Sequence, residues 1–332
     1  MYKERKLRVA VIYKKSNIFF SGHHFDMSLY YFILEALKRN NGINVTYFPT
    51  ENNFDATILK NKFDDILLPD NTPWGLPENI EGMKEMNIPV IAKCGDPHEV
   101  KTKKFDPYVF HERYKIDYYF NFMPSYYFYK FYPKEFKYKE IFWCLEADLY
   151  KNTSPFKERI KDKILLSGNV GKPSWKSKIA NRMLNPDNSA HYLYKLRTEC
   201  RKLQYVEFTP MKDGKHINSD YPSYLSKYSA SIAAGTFYPV IKYFEIPAAG
   251  CLTFMEVTEK NHCKILGFED GKNVIFINEN NYKEKFMEFL DDKDNPKWEN
   301  IAKAGREYVL EKLNNDVAVE KIVKLMQELV LE

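Results

Sequence analysis

The sequence predicts an α/β protein built from two doubly wound domains in tandem. Two observations carry this. Short apolar, β-branched runs alternate with helical patterns from the first residues onward, and the alternation restarts near the middle of the chain. The length, 332 residues, exceeds one typical domain and suits two of about 150 residues each.

LRVAVIYK at 7–14 reads as a buried strand. A loop with Ser21, Gly22, His23 and His24 follows, then an amphipathic helix at 26–39 with Met27, Tyr30, Ile33, Leu34 and Leu37 on one stripe. Further strands are expected at 44–49 (NVTYFP), 63–70 (FDDILLPD), 88–96 (IPVIAKCGD), 116–122 (IDYYFNF) and 140–148 (EIFWCLEAD), with a helix near 78–86. Residues 152–155 read as a linker. Beyond it, strands are expected at 163–169 (KILLSGN), 205–208, 229–235, 251–257 and 273–278. Helices are expected from 176, at 221–228, at 243–249 ending on Gly250, and at 282–290, 298–313 and 316–331. In the last, Val317, Val319, Ile322, Val323, Met326 and Leu329 recur at helical spacing, as a stripe that docks on a core. The domains are therefore drawn at 1–155 and 156–313. The terminal helix at 314–332 is a separate element, free to pack back toward the first domain.

Composition excludes several classes. A formal net charge of only +5 argues against a dedicated nucleic-acid binder, which usually shows a concentrated basic face, and is compatible with a mildly basic patch for phosphate groups or an anionic membrane. Five widely spaced cysteines form no CxxC pair and suit neither a disulfide framework nor a zinc knuckle; buried thiols in a reducing compartment are expected. No His, Asp and Cys spacing suggests a metal site. No secretory leader and no run of about 18 apolar residues is visible, so a cytoplasmic location is expected, at most resting on the inner face of a membrane. The segment 101–140 is dense in Lys, Tyr and Phe. Its rings are expected to fill the first core with the lysines solvated; stacking on sugars or a membrane interface is the alternative.

Ligands of doubly wound sheets bind outside the carboxyl ends of the strands, so loops from both domains are expected to face each other across a cleft. Ser167, Gly168, Asn169, Gly171 and Lys172 lie between a strand and a helix. Glycines there let backbone N–H groups approach a phosphate, with Lys172, Lys176 and Lys178 to neutralise it. A tight turn with exposed lysines would look the same. A second stretch, GTFYPVIKYFEIPAAGCLTF at 235–254, places Glu245 near a helix start, where a carboxylate can accept from vicinal hydroxyls. Lys242 can pair with a phosphate or with Glu245, and the bland alternative for Glu245 is a carboxylate favoured by the helix dipole. In the first domain, Asp96 and His98 of CGDPHE follow a strand end and are candidates for a general base; His23 and His24 are rivals. Asp before Pro is also an ordinary strand ending.

KYFEIPAAGCLTF at 242–254, LGFEDGKNVIFI at 266–277 and WENIAKAGREYVLEKL at 298–313 occur in an order that resembles the C-terminal half of group 1 glycosyltransferases. More narrowly, it resembles the spore-maturation-like branch, and the resemblance spans about 164–332. It implies the GT-B fold: two Rossmann-like domains, with a nucleoside diphosphate sugar held mainly by the second. It implies hexosyl transfer from a UDP- or GDP-linked donor to a hydroxyl of a glycan, lipid-linked saccharide or protein, without a metal for the chemistry. Glu245 then matches the ribose-binding glutamate, Gly168, Asn169 and Lys172 the diphosphate loop, and Gly235 and Thr236 the backbone that faces the donor. Retaining relatives carry a second glutamate eight positions before the first. Phe237 stands there, which leaves the sugar and the stereochemistry open. A catalytically degenerate binding protein and a sugar-nucleotide epimerase are the alternatives. A two-domain solute-binding protein would need export.

Overall fold

The computed structural model describes residues 5–16, 29–71, 75–95, 106–143, 145–172, 189–210 and 220–331, with isolated positions between 175 and 183. They cluster into two compact units. One takes the described residues up to 143 together with 315–331; the other takes those from 145 to 314.

The first unit carries a six-stranded sheet, all parallel, in the order β2-β1-β4-β6-β7-β8. Its strands are β1 (Leu7–Lys14), β2 (Ile43–Thr50), β4 (Asp65–Leu68), β6 (Val90–Lys93), β7 (Tyr118–Asn121) and β8 (Tyr138–Glu140). A separate parallel pair joins β3 (Asn53–Asp55) to β5 (Asn79–Glu81). Every residue of β4 and β6 is buried, as expected for parallel strands covered on both faces. The aromatic segment supplies much of this core. Phe128 stacks on Tyr138 and Tyr132 at centroid distances of 4.1 and 4.4 Å, and His111 stacks on Phe136 at 4.0 Å. The helix Asn315–Leu331 packs on Leu29–Arg39, burying Val319, Ile322 and Met326, and Arg39 bonds Asp316 at 2.8 Å.

The second unit has a five-stranded parallel sheet, order β10-β9-β11-β12-β13. Its strands are β9 (Ile160–Ser167), β10 (Val206–Thr209), β11 (Tyr228–Ala233), β12 (Leu252–Glu256) and β13 (Ile275–Ile277). Phe254, Phe286, Phe289 and Trp298 close the core, with Phe254 edge-on to Phe286 at 4.7 Å. Asn295 caps the helix Pro296–Lys312 by accepting from Lys297 N at 2.9 Å, and Pro296 occupies its first turn, where no N–H is needed.

Gly305 lies where that helix meets the strand-leading loop. A Cβ there would sit 2.2 Å from the Asn273 carbonyl oxygen. Gly305→Ala is therefore expected to destabilise the second unit by about 1–3 kcal/mol, despite alanine's better helix propensity. Urea denaturation reads this directly; equal or greater stability would contradict the close approach.

Two expected elements differ. The helix near 78–86 is absent: β5 forms instead, and Gly82 turns the chain with φ +76°. The strand expected at 140–148 stops at Glu140, and a 3₁₀ turn forms at Ala147–Tyr150. Its partner β7 ends at Asn121, opposite Glu140, so the ladder stops there. Tyr150 instead accepts through its carbonyl from Arg306. The helices Pro107–Tyr114 and Lys195–Cys200 had no expectation. Among the described residues, four cysteines are free and buried, and no helix is long and apolar enough to cross a membrane.

Candidate donor-binding site

β9 ends at Ser167, and the chain turns at Gly168 with φ +99°. An L side chain rarely adopts that conformation, and a Cβ would lie 2.4 Å from Arg197 Nη2. Arg197, 3% exposed, donates through Nη2 to the Ser167 carbonyl. The turn therefore carries a buried guanidinium against its inner side. Gly171 N–H donates to Thr198 Oγ1 at 2.8 Å, tying the loop to the same short helix as Arg197. Asn169 and Lys172 are exposed.

A chain of side chains connects this turn to the helix Lys242–Ala248. Ser167 Oγ and the Tyr221 hydroxyl share a hydrogen bond of 2.8 Å. Lys242 Nζ lies 4.1 Å from the Tyr221 ring centroid and 2.9 Å from Glu245 Oε2. Lys242 is 4% exposed and Glu245 7%. The Lys242 ammonium thus pairs with the Glu245 carboxylate. Burial pushes the Tyr221 hydroxyl far above the usual phenol range.

Gly235 and Thr236 follow β11 and are buried. Gly235 N–H donates to the Tyr243 hydroxyl at 3.1 Å, and its carbonyl accepts from Asn261 Nδ2 at 3.0 Å. Thr236 N–H donates to Leu193 O at 3.0 Å. Phe237 packs on Tyr192 at 4.4 Å with Lys260 Nζ over its ring.

Gly168, Gly235, Lys242 and Glu245 thus converge at the carboxyl end of one parallel sheet. Asp96, His98, His23 and His24 lie outside the described residues. Tyr221, Arg197 and Glu256 escaped sequence reasoning. Tyr221 and Arg197 reach the Gly168 turn from 54 and 30 residues away. Glu256 left one signal: an acid at the end of a buried apolar strand. Among the described residues, no three His, Cys, Asp or Glu side chains are arranged to hold a metal ion.

Residues 163–324 match the family described as glycosyl transferase-like. No curated protein matches by sequence. Solved structures do match in fold. A sucrose-phosphate synthase from Thermosynechococcus elongatus superposes with a TM-score of 0.58 at 13% identity, over 98% of this chain and 99% of that one. HepE from Anabaena, in complex with UDP-glucose, gives 0.54 at 12% identity, over 97% and 100%. A glycosyltransferase from Rickettsia africae gives 0.54 at 11% identity, over 99% of each chain. The fold is therefore that of the GT-B glycosyltransferases. The likeness to the glycosyl transferase-like family spans residues 163–324, the greater part of the second unit.

Proposed function

We propose that this protein transfers a sugar from a nucleoside diphosphate donor to a hydroxyl acceptor. The observation that carries the reading is the joined arrangement of the Gly168 turn and Glu245 through Ser167, Tyr221 and Lys242. Glu245 accepts from the ribose hydroxyls. The backbone of the Gly168 turn and Lys172 hold the diphosphate, and the buried charge of Arg197 adds a fixed positive potential there. These groups stabilise the charge that develops on the leaving diphosphate without reorganising. A uridine donor is favoured because HepE, of the same fold, forms a complex with UDP-glucose. The acceptor is a glycan, lipid-linked saccharide or protein hydroxyl, and Asp96, His98 or His23 supplies the acceptor-side base. The C-terminal motifs resemble those of the spore-maturation-like branch, which supports a place within it.

Phe237 favours one second reading, a protein that binds a nucleotide sugar without turning it over. Two measurements decide. UDP or GDP at about a hundredfold over its dissociation constant should stabilise the protein by about 2.7 kcal/mol, visible as a raised melting temperature. If no nucleoside diphosphate or its sugar shifts the melt, donor binding is wrong. Donor that binds but is never hydrolysed or transferred, with any acceptor, establishes the second reading.

A further inference from the structure

Glu256 ends β12 beside the Gly235–Thr236 turn and is 3% exposed. Its Oε2 is buried with no hydrogen-bond partner. Its backbone carbonyl accepts from the Tyr243 hydroxyl at 2.7 Å and from Asn261 Nδ2 at 2.9 Å. Those same two side chains hold the N–H and the carbonyl of Gly235. Glu256 and the turn are therefore one hydrogen-bonded body, and the Gly235 N–H also faces the carboxyl group.

We propose that Glu256 is a positioning residue of the donor site, present as the neutral acid, and that its ionisation sets the upper pH at which the site accepts an anionic nucleotide sugar. The proposal rests on the donor-binding reading of the Gly168 and Gly235 turns. A buried carboxylate with an unpartnered oxygen is costly, whereas the neutral acid is tolerated. Burial first, and then the Glu279 charge, push the Glu256 carboxyl up to about 7, against the opposing pull of Gly235 N–H, Arg197 and Lys195. Among the described residues, Cys200, Tyr243 and Cys263 also feel its charge, and burial pushes each of them up, toward its neutral form. Below that value the turn carries no charge from Glu256. Above it, a negative charge lies beside the backbone that faces the donor, and affinity for a dianionic diphosphate falls.

UDP-glucose is a suitable probe because its diphosphate keeps a constant charge near neutrality. Titration calorimetry between about pH 6 and about pH 8.5 should show wild-type affinity falling about threefold to tenfold, while Glu256→Gln stays within about twofold. Parallel profiles overturn the proposal. Urea stability of the ligand-free proteins gives an independent reading. The folded-state value is raised, so wild type loses stability relative to Glu256→Gln from the ordinary glutamate range up to about pH 7 and no further. A pH-independent difference overturns the proposal whatever the donor. A titrating difference with no UDP-glucose binding to either protein overturns instead the donor reading on which it rests.

Discussion

Glu245→Ala is expected to lower nucleotide affinity by about 1–3 kcal/mol, some fivefold to 150-fold, because the ribose hydroxyls lose a buried acceptor. It should also cost stability. Lys242 and Glu245 form an ion pair of 2.9 Å with both side chains nearly closed to solvent. Removing one partner of such a pair typically costs about 3–5 kcal/mol, since the other charge stays buried. The two effects separate in the double variant Lys242→Met with Glu245→Leu. Apolar replacements of similar volume are often neutral or stabilising, so the melting temperature should return toward wild type. Nucleotide affinity should not return. Calorimetry with UDP on the folded variants checks this, and affinity that recovers together with stability would refute the ribose role.

Asp65→Val is expected to stabilise the first unit at neutral pH by about 1–3 kcal/mol. Asp65 is fully buried at the start of β4, and neither carboxyl oxygen has a hydrogen-bond partner. Burial, and then the charges of Asp117 and Asp64, raise its pKa well above the usual carboxylate range. Neighbouring Asp64 goes the opposite way: bonds from Arg8 and Arg5 hold it well below that range. The sign for Asp65 follows from the raised folded-state value. Its proton is retained in the folded protein while the unfolded chain releases it near pH 4, so stability falls as pH rises above that point. The advantage of Asp65→Val should therefore be small in acid and grow toward neutrality. Urea midpoints at about pH 4 and about pH 7 test it. An advantage that stays constant, or shrinks, would mean that Asp65 is not held neutral.

Much of the architecture is legible from pattern alone. VAVI in β1 and ILL in β4 are apolar runs with no polar alternation, as expected of a sheet covered on both faces. The failures share a cause. Against the helix expected near 78–86, Gly82 and pairing with β3 decide for a strand. Asn79–Glu81 finds its partner across an interval that no local window spans.

The sequence by itself determined two parallel α/β sheets, the glycine turn after β9, the helix-start glutamate, and the order of motifs that marks the glycosyl transferase-like half. These are local properties: hydrophobic period, turn chemistry and spacing along the chain. Only the tertiary structure decided that Lys242 bonds Glu245, that Tyr221 links it to Ser167, that Arg197 lies against Gly168, and that Asp65 and Glu256 are acids closed off from water. Charge states and pairings depend on which distant segments exclude solvent from a group. Burial is a property of the packed chain, and no stretch of residues carries it alone.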